Sequence, residues 1–150
     1  MRVKDVMSSP VHTCQPDTDL GTVAAMMWEY DCGFIPVVGA SGTVAGLVTD
    51  RDICIATATR RLAPGHISAA QAMSETVHAC FPDDSIGLAL TSMKDYKVRR
   101  LPVIDSAGMI KGVVSMNDIV RAAGANRSLP VKDVMATLAG ICEPRNVTVG

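Results

Sequence analysis

The stretch Gly46–Ile53, GLVTDRDI, ends an apolar run on a hydroxyl residue, Thr49, and places an aspartate, Asp52, three positions later. It returns as Gly112–Ile119, GVVSMNDI, at an offset of 66 positions (112 − 46), with Ser115 and Asp118 in the matching places. Each copy reads as a buried strand whose end delivers a hydroxyl and a carboxylate to the N-terminus of a helix. Such a corner can bind a polar ligand. Two copies predict two corners, or one working corner and its relic.

Outward from this pair, the same ungapped shift of 66 aligns Met7 with Met73, His12 with His78, Cys14 with Cys80 and Pro16-Asp17 with Pro82-Asp83. It also aligns Tyr30 with Tyr96, Pro36-Val37 with Pro102-Val103 and Asp52-Ile53 with Asp118-Ile119. Register held over that length marks an internal duplication. Within a copy, Val3–Met7 is a short helical opening and Val11–Cys14 a short strand. Pro16-Asp17-Thr18-Asp19 supplies helix-start chemistry, and Leu20, Val23, Ala24 and Met27 follow at helical spacing. The second copy sets Ile86, Ala89, Leu90 and Met93 in the same stripe. Phe34–Val38 is a strand whose Pro36 implies a strand start or an edge. Thr43–Val48 follows a glycine-containing turn, and a helix begins at Asp50. The order is β-α-β-β-α, twice, an α/β (α+β) fold. It divides as repeat 1 over 1–58, a linker over 59–68, repeat 2 over 69–124 and a tail over 125–150. The tail repeats the VKDVM of Val3–Met7 at Val131–Met135 without a third strand-helix set, which predicts a C-terminal helix packed on the core or on a partner.

Bulk properties narrow the function. With 48% hydrophobic and 3% aromatic residues, the core is aliphatic and methionine-rich. A formal net charge of −1 offers no basic footprint for nucleic acid or anionic lipid. No apolar run has membrane-spanning length, and MRVKDVMSSP lacks the apolar segment of a signal peptide. Five irregularly spaced cysteines read as reduced thiols and point to the cytoplasm, where the sequon Asn146-Val147-Thr148 carries no weight. No phosphate loop, nucleophile elbow or zinc-protease helix is present, so the expectation is a protein that is not an enzyme.

FIPVV and RLPVID, the GLVTDRDI and GVVSMNDI units and the opening Met-(x)n-Pro-Asp pattern resemble the cystathionine-β-synthase (CBS) domain, whose tandem pair is called a Bateman module. The resemblance covers about Val3–Val120. It implies two repeats about a pseudo-two-fold axis, with clefts that bind adenosine-containing ligands such as AMP, ATP or S-adenosylmethionine as signals. It also implies homodimers and a regulatory role. No permanently bound cofactor is expected.

Thr49-x-x-Asp52 and Ser115-x-x-Asp118 each fit a helix capping box, and this reading needs no ligand. The same placement lets an aspartate accept from a ribose diol while the hydroxyl and nearby N–H groups meet the ligand. Aspartate repels phosphate, so a cation must come from elsewhere. Under the resemblance Arg99 and Arg100 supply it in the second copy; otherwise they are a solvated strand entrance. Their first-copy counterparts are Gly33 and Phe34, although Arg51 is a further cation that can contribute. One good nucleotide site and one weaker or altered site are therefore expected. The resemblance also puts Ile35-Pro36 and Leu101-Pro102 beside the adenine, although these residues equally suit the core. Thr13 would contribute a hydroxyl that Ala79 lacks. His12/Cys14 and His78/Cys80 could each present a nitrogen and a sulfur on one strand face, the basis of an alternative reading as a metal or redox stress sensor. Duplication alone also explains their recurrence. The other alternative is an interaction scaffold with vestigial clefts. The expected partners are an adenosine-containing small molecule, a second copy and an effector protein of unknown identity.

Overall fold

Asp19 starts the first long helix by accepting the Thr22 N–H at 2.9 Å, and the Thr22 hydroxyl donates to its other oxygen at 2.7 Å. These hydrogen bonds, led by the Thr22 hydroxyl, lower the Asp19 carboxyl below its ordinary value. The helix, α1 (Leu20–Glu29), buries Leu20, Val23 and Met27, while Ala24 stays half-buried. In the computed structural model, which describes residues 1–125 and 129–145, the chain continues as β1 (Phe34–Val38), β2 (Val44–Thr49) and α2 (Asp50–Arg60). A one-turn helix, α3 (Ala69–Ala72), precedes the second repeat, which gives α4 (Ile86–Tyr96), β3 (Arg100–Ile104), β4 (Ile110–Ser115) and α5 (Met116–Ala125). The chain ends in α6 (Val131–Cys142). Asn146-Val147-Thr148 lies outside the described residues.

β1 and β2 pair antiparallel, with Phe34 opposite Thr49 and Pro36 opposite Leu47; β3 and β4 form the matching two-stranded sheet. The predicted strand Val11–Cys14 shrinks to a single parallel bridge between Cys14 and Val37, as its counterpart does between Cys80 and Val103. That bridge explains the strand prolines. The Cys14 N–H donates to the Pro36 carbonyl at 3.0 Å and the Val38 N–H to the Cys14 carbonyl at 2.8 Å. Pro36 therefore turns its donorless nitrogen to the edge where only one residue pairs, and Pro102 does the same beside Cys80.

The chain forms two compact units, and they do not follow the order of the repeats. One comprises Met1–Ser9, His78–Ile104 and Lys111 onward; the other comprises Pro10–Val77 and Asp105–Ile110. The opening segment thus packs with the second repeat. The Val3 N–H donates to Asp84 O at 2.9 Å, the Lys4 N–H to Pro82 O at 2.9 Å, and Ser8 exchanges both backbone bonds with Val113. Lys4 and Arg2 also reach Asp83, at 2.7 and 2.9 Å. The matching stretch Ala69–Ser74 serves the first repeat, where Ser74 exchanges both bonds with Leu47. In each unit this segment runs hard against a strand glycine. A Cβ on Gly46 would meet Met73 Sδ at 2.5 Å, and one on Gly112 would meet Met7 Sδ at 2.7 Å.

Each unit has its own aliphatic core. The first-repeat core gathers Leu20, Val23, Ile35, Val37, Val48 and Ile67. The other gathers Val3, Ile86, Met93, Leu101, Val114 and Ile119, and α6 closes it with Val134. The tail helix expected from VKDVM is therefore a core element of the second-repeat unit, packed on α4 and α5. Among the described residues, no helix is long and apolar enough to cross a membrane.

Candidate functional site

Both strand–helix corners form as capping boxes. The Asp52 N–H donates to Thr49 Oγ1 at 3.2 Å, and the Thr49 N–H returns a bond to Asp52 Oδ2 at 2.8 Å. In the second repeat the Asp118 N–H donates to Ser115 Oγ at 3.1 Å. Asp118 Oδ2 accepts from the Ser115 N–H at 2.9 Å and from its hydroxyl at 2.6 Å. In each box the aspartate works through Oδ2, so Oδ1 remains an acceptor at a half-buried helix start.

The loop before the preceding strand joins each corner. The Met116 N–H donates to the Arg99 carbonyl at 2.9 Å, and the Asp50 N–H donates to the Gly33 carbonyl at 3.2 Å. Arg99 is therefore a neighbour of the Ser115–Asp118 box, with Arg100 half-buried beside it at the start of β3. The first repeat differs in kind. There the Asp50 carboxylate fills the space over Gly33, its Oδ2 standing 2.8 Å from where a Cβ would be. Where one corner carries an arginine, the other carries a carboxylate. Arg51, the remaining first-copy cation, is exposed at the same helix start.

The apolar residues separate from this group. Ile35 and Leu101 are 0% exposed and lie one in each core. Pro36 and Pro102 are buried with them. Thr13 is half-buried and lines a cavity of about 410 Å³ in the first-repeat unit, with Gln15, Thr18, Thr22 and Met26 among its other walls. None of the Thr49–Asp52 residues lines it. The last four of these wall residues were not expected from sequence, yet a signal was present. Gln15, Thr18 and Thr22 correspond to Phe81, Asp84 and Leu88, an abrupt departure within an otherwise close duplication.

The repeat order and the paired sheets find their counterparts among known proteins. The CBS domain matches the chain twice, over residues 3–58 and 68–125. This chain belongs to the CBS domain family. The CBS domain-containing protein YhcV of Bacillus subtilis is 32% identical over 126 residues, covering 84% of this chain and 88% of YhcV. Hypoxic response protein 1 of Mycobacterium tuberculosis is 31% identical over 142 residues, covering 94% of both chains. A crystal structure of Hypoxic Response Protein I with two coordinated zinc ions superposes with a TM-score of 0.73 at 30% identity, covering 81% of this chain and 98% of the other. The CBS domain pair of protein MJ0100, in complex with 5′-methylthioadenosine and S-adenosyl-L-methionine, superposes with a TM-score of 0.77 at 24% identity, covering 83% and 97%.

The two His-x-Cys pairs fall in different compact units, His12/Cys14 with Pro10–Val77 and His78/Cys80 with His78–Ile104. Among the described residues, no three His, Cys, Asp or Glu side chains converge as metal ligands. His12 is exposed and stacked on Tyr30 with centroids 3.4 Å apart, whereas Cys14 is buried. His78 stacks likewise on Tyr96, at 3.6 Å. Burial pushes the Cys14 thiol up to about 11, and burial followed by the Asp84 charge pushes Cys80 up to about 12. Both shifts favour the neutral thiol.

Proposed function

We propose that this CBS pair is a regulatory module that binds an adenosine-containing ligand at its strand–helix corners and signals through a second copy or an effector protein. The observation that carries this reading is the second-repeat corner. There Asp118 Oδ2 is tied to Ser115 while Oδ1 can accept from a ribose diol, and the Arg99 carbonyl bond to Met116 holds a guanidinium-bearing residue alongside. Ribose on the aspartate and phosphate on Arg99 or Arg100 are complementary roles, because a carboxylate alone repels a nucleotide. The adenosine compounds held by the CBS pair of MJ0100 support the ligand class. No catalytic role is assigned, and the ligand acts by differential affinity for two conformations.

Self-association is supported by Trp28, which is 91% exposed on α1. The matching residue in the second repeat, Lys94, is exposed but lays its stem against α6, with its Cγ 2.7 Å from where a Gly140 Cβ would stand. The first-repeat helix has no such cover among the described residues of its own unit. All five cysteines are free, in keeping with a reducing, cytoplasmic setting.

A thermal-shift screen of AMP, ADP, ATP, S-adenosylmethionine, NADH and zinc tests the reading, repeated on Asp118→Ala and Asp118→Asn. A ligand at 100 times its dissociation constant adds about 2.7 kcal/mol. The asparagine keeps an acceptor for Ser115 but places a donor where the ribose needs an acceptor. One adenosine ligand that stabilises the wild type and neither variant is the expected result. A screen in which no adenosine compound shifts the protein would sink the proposal.

A further inference from the structure

The two corners differ in charge more than in shape. Around the second-repeat box stand Arg99, Arg100 and Asp118, with Met116 and Asn117 neutral, a formal sum of +1 (2 − 1). Around the first stand Asp50, Arg51 and Asp52, with Gly33 and Phe34 neutral, a formal sum of −1 (1 − 2). The backbone is the same in both: residue 33 or 99 accepts from residue 50 or 116, and the hydroxyl–aspartate box comes next. At Gly33 the exchange is also steric. The Asp50 carboxylate occupies the place where any side chain at 33 would begin, with Oδ2 at 2.8 Å and Cγ at 3.2 Å from the missing Cβ. A side chain restored at 33 would require the Asp50 carboxylate to move.

We propose that Asp50 makes the first-repeat corner select adenosine ligands without a phosphate, neutral or cationic at the 5′ position, and leaves nucleotides to the second repeat. This rests on the proposed adenosine binding at the corners and assigns a different ligand class to each. Asp52 Oδ1 is the ribose acceptor in the first corner, as Asp118 Oδ1 is in the second. The 5′ substituent of the ribose then meets opposite charges. A 5′-phosphate faces Arg99 in one corner and the Asp50 carboxylate in the other. A sulfonium or ammonium group on the 5′ side reverses the preference, and a thioether is indifferent to it. Arg51 moderates the contrast without inverting it, because its charge is outnumbered by Asp50 and Asp52. A chain built this way reads two ligands at once and reports their balance.

The test is calorimetric titration of the full chain with AMP and with 5′-methylthioadenosine, in four forms: wild type, Asp118→Ala, Asp118→Ala with Asp50→Asn, and Asp118→Ala with Gly33→Arg and Asp50→Met. The last rebuilds the second-repeat pair in the first repeat. With Asp118 removed, 5′-methylthioadenosine should still bind and AMP should bind about tenfold or more weaker. Asp50→Asn should narrow that gap, and the Gly33→Arg/Asp50→Met form should close or reverse it. Raised salt should narrow it in the Asp50 protein and barely move it in the asparagine protein. Three results overturn the assignment: equal binding of both ligands by Asp118→Ala, loss of both ligands in that variant, or an AMP affinity that ignores Asp50→Asn. The asparagine variant decides the matter even where the double substitution fails to fold. Failure of the wild type to bind either compound would instead remove the adenosine reading itself, and is distinguishable from all three.

Discussion

Val3 is the residue on which the exchange of the opening segment turns. It is 0% exposed, sits in the second-repeat core, and donates its N–H to Asp84 O at 2.9 Å. Val3→Ala removes two buried methyl groups at about 0.8 kcal/mol each and leaves a small cavity, a loss of about 2 kcal/mol. At about 1.4 kcal/mol per decade this is a roughly 30-fold fall in local protection. Native-state hydrogen exchange read by mass spectrometry should place the loss in α4 and β4, leaving α1 and β2 near the wild-type level. Ala69→Gly is the reciprocal probe, because Ala69 stands 66 positions on and is 0% exposed in the first-repeat core. It should lower protection in α1 and β2 by a comparable factor, adding a lost methyl to a glycine in the first helical turn. Loss in α1 and β2 on Val3→Ala would mean that the opening segment packs with its own repeat, and would refute the exchange.

The remaining expectations concern thiols, the lone tryptophan and the strand glycines. Unfolded thiols ionise near 9.0, but burial holds Cys14 and Cys80 protonated to about 11 and about 12, so the unfolded chain releases protons first and stability falls as pH rises from 9.0 towards 11. Urea midpoints should drop over that window, and Cys14→Ala/Cys80→Ala should flatten the drop; maleimide should label exposed Cys54 and Cys142 well before either buried thiol. Trp28 is the only tryptophan, so its emission reports one face of α1. It should shift to the blue as concentration drives self-association, and Trp28→Lys should weaken the dimer seen by sedimentation; a dimer that leaves the emission unchanged would move the interface elsewhere. Gly112→Ala should cost about 1–3 kcal/mol, because its Cβ would stand 2.9 Å from Ser8 O as well as on Met7 Sδ, and thermal unfolding would show it.

Much of the fold was legible because it was written twice. Phe34–Val38 emerged as a strand with the bounds read from the sequence, and every apolar position of the Ile86–Met93 stripe is buried. The capping boxes were legible for the same reason, since a hydroxyl and an aspartate three residues apart satisfy orphan N–H groups wherever a helix begins. What the pattern could not convey is which copy a segment packs with. Val3–Met7 and Ala69–Met73 are equivalent by offset, and either assignment keeps the same local contacts; only the path of the chain through space decides. Ile35 and Leu101 illustrate a second limit. Flanking prolines and an apolar pair suit an adenine slot and a core equally, and both residues are fully buried in the two cores. The Thr13–Thr22 cavity left no repeated mark in the sequence, because Gln15, Thr18 and Thr22 have no polar match in Phe81 and Leu88 and only a changed one in Asp84.

Capping and ligand binding are compatible uses of the same aspartate, because they draw on different oxygens. Oδ2 satisfies the strand-end N–H in both repeats, at 2.8 Å from Thr49 and 2.9 Å from Ser115, and that demand exists whether or not a ligand is present. It fixes the rotamer, and the rotamer aims Oδ1. On the proposed reading the cap preorganises the ribose contact, so little rotamer freedom remains to be lost on binding. Duplication supplied two such preorganised acceptors on equivalent backbones, which left the neighbours free to diverge. Gly33 and Arg99 diverged without disturbing the carbonyl bond that joins loop to helix, since that bond uses only main-chain atoms. On that reading, charge at positions 33, 50, 99 and 116 sets the ligand class of a corner while the box beneath it stays intact, which makes specificity separable from stability.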